Sequence, residues 1–167
     1  AGPRPLASLP RPRLAAAALV ALAALACAWT AWQPERSQSA GDEALALLED
    51  GELARAAREA DRARDLNPLS PRPLFIKAQI QDRAGNRAAA EATLEQAVRE
   101  HPARADVWLR LAEYQLLDRD DPEAALQTLR AALYLDPRSR QAQAAFFEAR
   151  SRLREQEAER ARERRAG

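Results

Sequence analysis

The chain has 167 residues, with 26 basic and 25 acidic side chains and a formal net charge of +1. That balance does not imply the broad basic surface nucleic acid requires, so no nucleic-acid partner is expected, and the length leaves room for one modest domain with appendages. Alanine, leucine, arginine and glutamate dominate and no stretch alternates apolar with polar residues, so the expected class is all-α.

Chemistry of its own is not expected. The single cysteine, Cys27, lies in an apolar stretch, so neither an intrachain disulfide nor a cysteine metal cluster can form. The single histidine, His101, precedes Pro102 and reads as a loop residue. There is no Ser/His/Asp or Cys/His set, no glycine-rich phosphate loop and no cluster of metal-ligand type. No catalytic, cofactor-binding or metal-binding residue is therefore assigned.

Residues 1–13 hold Arg4, Arg11 and Arg13, four prolines and no acid, a flank that cannot fold alone. Leu14 to Trp32 is a run of 19 residues without a charge. As a helix it would span about 28 Å, close to the hydrocarbon core of a bilayer, with Trp29 and Trp32 at the headgroup boundary. The spacing predicts a transmembrane helix. Arginines precede it and Glu35, Asp42 and Glu43 follow, so the N-terminus is placed in the cytoplasm and the remainder outside it. Three other readings stay open: a secretory signal cut at Ala24-Leu25-Ala26 or Ala26-Cys27-Ala28, a lipoprotein signal acylated at Cys27, and a core helix of a soluble protein.

A polar linker is expected over 33–41, followed by three helical hairpins over about 42–68, 71–102 and 103–137. One phrase organises them. Gly85, Asn86, Ala90, Leu94, Ala97 and Pro102 match Gly51, Glu52, Ala56, Ala60, Ala63 and Pro68 at 34 positions back, and Ala125, Leu129, Ala132 and Pro137 at 35 forward, with one extra residue near Asp120. Such a period marks a helical-hairpin array, because each hairpin has an apolar face that only a neighbour can cover. Gly85 suits a left-handed helix end, Asn86 and Asp121 suit N-caps, and Ser70-Pro71 suits the start of the second hairpin. Beyond Pro137 a helix over 139–153 is expected to cover the open end of the array. The Arg/Glu-rich tail to Gly167 is expected to fray toward Arg164 and Arg165.

With Trp108, Leu111, Ala112, Ala125, Leu129, Ala132 and Pro137 in the third unit and Leu74, Ala78, Gly85, Ala90, Leu94, Ala97 and Pro102 in the second, the array resembles a tetratricopeptide repeat domain. The resemblance implies an α-solenoid that holds a protein or peptide partner on a concave surface lined by the first helix of each hairpin. Carried over by repeat register, that surface comprises Phe75, Gln79, Asp82 and Arg83 from the second unit and Leu109, Glu113, Leu116 and Leu117 from the third. The lysines and asparagines with which some family members grip a terminal carboxylate are missing from these positions.

A longer resemblance spans the junction. Ala31-Trp32-Gln33-Pro34-x-Arg36-Ser37, Asn67-Pro68-Leu69-Ser70-Pro71-x-Pro73-Leu74-Phe75, Trp108-Leu109-Arg110-Leu111-Ala112-Glu113 and Ala132-Leu133-Tyr134-Leu135-Asp136-Pro137-Arg138-Ser139 together resemble the C-terminal end of O-antigen ligase-like membrane proteins of bacteria. It implies a tail that carries a last membrane helix, Leu14 to Trp32, and an outward-facing repeat domain in the bacterial cytoplasmic membrane, serving cell-envelope polysaccharide assembly. An independent or self-associating repeat scaffold is the alternative reading, with the oligomeric state open.

Overall fold

The computed structural model describes residues 35–166, together with Val20 and Ala21. The described residues from 35 onward form seven helices: α1 (35–49), α2 (Leu53–Leu66), α3 (Arg72–Arg83), α4 (Arg87–Glu100), α5 (Ala105–Leu117), α6 (Pro122–Leu135) and α7 (Arg140–Ala166). They pair as hairpins α1–α2, where Ala44 and Leu47 pack on Ala56 and Ala60, and α3–α4 and α5–α6, each packed on the next, with α7 against α5 and α6. The basic flank over 1–13 and, apart from Val20 and Ala21, the expected membrane span over 14–32 lie outside the described residues. Among the described residues no helix is long and apolar enough to cross a membrane.

Alanines set the spacing of the array. Ala56, Ala63, Ala90, Ala97, Ala125 and Ala132, two from the second helix of each hairpin, are fully buried at 0% exposure. A methyl side chain lets two backbones approach closely, and the larger side chains then fill the layers between hairpins. One layer gathers Ala44, Leu47, Ile76 and Ile80 around Ala56 and Ala60. The middle layer joins Leu74, Leu94, Val107 and Leu111, and the last packs Leu109, Leu116 and Leu129 against Ala142 and Ala149 of α7. Trp108 packs against both the middle and the last layer and donates its indole N–H to the Pro102 carbonyl at 2.8 Å.

The turns inside the hairpins repeat as well. Gly51 and Gly85 take φ of 78° and 79°, the left-handed conformation that ends a helix. In the first two turns the N–H groups of Glu52 and Asn86 reach the carbonyls of Leu47 and Gln81, each five residues back. In the third, Asp121 reaches Gln115, six residues back, and the left-handed position falls to Asp120 at φ 52°. That is the extra residue of the third unit. Asn86 and Asp121 cap α4 and α6, their side chains accepting from the N–H groups of Ala89 and Ala124. Ser70 accepts from Arg72 instead of capping α3, which opens with Pro71 at the cap position.

Two expectations are corrected. The stretch 35–41, expected within a linker, is the start of α1. Its polar composition conceals a packed face: Ser37 is buried and donates to the Ala63 carbonyl at 2.9 Å, and Gly41 sits where an added Cβ would come within 3.3 Å of Ile76. The C-terminal tail is likewise helical through Ala166, in one helix of 27 residues. Arginine, glutamate, glutamine and alanine all have high helix propensity, the Arg152–Glu148 pair at 2.9 Å adds support, and Gln156 ties the helix to the Asp120 carbonyl.

Replacing Ala97 by phenylalanine should destabilise the fold by about 2–3 kcal/mol through overpacking, read as a lower urea midpoint. Replacing Asp120 by glycine should raise stability by about 0.5–1 kcal/mol, by relieving a left-handed residue that carries a Cβ.

Candidate binding groove

Two helix faces make the site. Phe75, Ala78, Gln79, Asp82 and Arg83 follow the i, i+3, i+4, i+7, i+8 spacing of one face of α3, and Arg110, Glu113, Tyr114, Leu117 and Asp118 do the same along α5. With Leu48 from the end of α1 and Leu94 from α4 they line an open groove of about 370 Å³. Six of the eight residues assigned from the sequence are here: Phe75, Gln79, Asp82, Arg83, Glu113 and Leu117. Leu109 and Leu116 are not.

Both are buried, at 8% and 2% exposure, in the layer with α6 and α7. The groove lies between two successive first helices, so α3 and α5 turn opposite flanks toward it. Repeat register carries the same flank from unit to unit, and the flank of α5 that corresponds to Phe75 and Asp82 faces α7. Arg110, Tyr114 and Asp118, which register alone misses, sit about one residue further round the helix. Their spacing at four-residue intervals from Arg110 was the available signal.

Polar groups on the groove wall are tied down unevenly. The Tyr114 hydroxyl lies 2.9 Å from Asp82 Oδ1 and 3.2 Å from the Arg87 carbonyl, both acceptors for its one proton. Burial, with the Asp82 carboxylate adding to it, raises the Tyr114 hydroxyl well above the ordinary phenol range, so it remains a donor. The Arg110 guanidinium lies 5.8 Å from the Phe75 ring centroid and 3.8 Å from Glu113, and Glu113 also accepts from Gln141 of α7 at 2.7 Å. Asp118 differs. Among the described residues no hydrogen bond or ion pair reaches its carboxylate, and it sits at the C-cap of α5, where the helix dipole disfavours negative charge. Burial pushes its carboxyl up, and the neighbouring charge of Asp82 pushes it further, against the pull of Arg87 and Arg110.

A carboxyl raised in the fold contributes stability below its ordinary range and loses it as pH rises through the raised value. Asp118→Asn should therefore raise the thermal midpoint at neutral pH, by an amount worth less than about 0.5 kcal/mol given the screening at this exposed site. The gain should vanish as the buffer is brought down through the carboxylate range.

The repeat pattern of the tetratricopeptide repeat family matches residues 41–86 and 75–140. No curated protein matches the chain. Among solved structures, the first tetratricopeptide domain of human RPAP3 superposes with a TM-score of 0.59 at 18% identity, over 75% of this chain and 98% of its own. The TPR2B domain of yeast Sti1, solved as a pHsp70 complex, gives 0.55 at 18% identity over 71% and 97%. The Yersinia enterocolitica secretion chaperone SycD, in complex with a peptide of the translocator YopD, gives 0.55 at 13% identity over 74% and 93%. At these identities the likeness is one of fold, whereas the matched repeat pattern covers most of the described residues: the chain belongs to the tetratricopeptide repeat family.

Proposed function

We propose that the chain is a protein-interaction module, without chemistry of its own, that holds a peptide segment of a partner in the groove between α3 and α5. One observation carries this reading: two helix faces, exposed or half-exposed except at Ala78 and Tyr114, line one open groove, and the chain's own described residues leave it unfilled. Leu117 is 61% exposed there. An apolar side chain left open on a concave wall is a surface suited to a partner's apolar side chain. Relatives in fold that hold peptides support the same kind of work.

The uncharged stretch from Leu14 to Trp32 supports the finer part of the proposal, a module tethered to the bacterial cytoplasmic membrane with its repeats outside the cytoplasm. The further assignment to an O-antigen ligase-like tail rests on the junction residues alone.

A photo-crosslinking residue at position 79, on the groove wall, should give partner adducts in the host cell. The same residue at Glu95, exposed on α4 outside the groove, should not. Adducts at position 95 alone would move the binding surface elsewhere. For the tether, a reporter active only outside the cytoplasm should be active when fused after Gly167. An inactive fusion in a soluble chain would remove the membrane part of the proposal and leave the groove.

A further inference from the structure

The groove has an electrical direction. Leu48, Asp82 and Asp118 stand at or next to the C-terminal ends of α1, α3 and α5, so those three ends meet at one side of the groove. Each brings the negative end of its helix dipole, and two of them add a carboxylate. Asp82 is held by Tyr114, but the Asp118 carboxylate has neither hydrogen bond nor ion pair among the described residues. Arg83 lies on the same wall and forms no ion pair with either carboxylate. Arg110, held over Phe75 and near Glu113, and Arg87 pull on the Asp118 carboxylate without forming an ion pair with it.

A carboxylate at a helix C-terminus with no ion-pair partner of its own, beside a second carboxylate, meets three unfavourable effects, dipole, like charge and partial desolvation, which Arg87 and Arg110 offset only in part. Cost of that kind concentrates at binding sites, where the ligand supplies the missing partner. Leu48 and Leu117 also line the groove and offer apolar surface there. The geometry points to a partner segment that places a lysine or arginine against Asp118 and Asp82 and an adjacent apolar side chain on Leu48 and Leu117. An acidic chain terminus, which would meet Asp118 and the helix ends with like charge, does not fit this side of the groove. This inference rests on the groove being the binding surface.

The test is selection of a displayed library of random twelve-residue peptides against the full chain, with the enriched peptides then measured on the parent chain and on its variants. The enriched pool should carry Lys or Arg next to Leu, Ile or Phe. Individual peptides should bind the Leu117→Gln chain about tenfold more weakly, through lost apolar burial. They should bind Asp118→Asn about threefold more weakly, the effect of one partly exposed ion pair, and this loss should shrink as salt rises. A pool rich in acidic or charge-neutral sequences, or one indifferent to Asp118→Asn, overturns the charge assignment and leaves the groove standing. A pool that binds Leu117→Gln as well as the parent chain removes the groove as well. Concentration-dependent self-association that Leu117→Gln abolishes would make a second copy the occupant and also overturn the inference.

Discussion

The structure depends on how closely two helices can approach within a hairpin. Ala56 and Ala63, Ala90 and Ala97, and Ala125 and Ala132 are completely buried at the same place in three successive units. A larger side chain at any of them would drive the pair apart and shift every layer beyond. Close packing within hairpins also fixes how far each hairpin is rotated against the next. The groove follows from that rotation, because α3 and α5 are brought side by side with opposite flanks facing each other.

The same repetition organises polar contacts. Thr93 donates to Gln81 and Thr128 to Gln115, each at 2.7 Å, so the second and third hairpins carry the same side-chain bond between their two helices. Thr93 and Gln115 are buried, and leaving either unpaired would cost more than the bond contributes when made. These pairs add a directional bond between the two helices of each of these hairpins.

The hairpins were legible in the sequence because turn residues, caps and small residues recur at a fixed period, and each has a local physical meaning. α2 and α4 run over the residues the pattern indicates. The start of α1 was not legible: a stretch with Ser37, Gln38, Ser39 and Gly41 reads as linker until its packing against Ala63 and Ile76 is known. The groove was partly legible. Its α3 side follows from helical spacing alone, whereas its α5 side depends on which neighbour each flank faces. No one-dimensional repeat can express that. Leu109 and Leu116 look like groove residues by register and are core residues because α7 covers them.

The central claim is that the wall formed by α3 and α5 is the working surface. A crystal structure of the chain bound to a short peptide ligand tests it most directly. The account requires density for the peptide along Phe75, Gln79 and Leu117, with a basic side chain within ion-pair distance of Asp118. A peptide lying on the outward faces of α2, α4 and α6, or along α7, would contradict it.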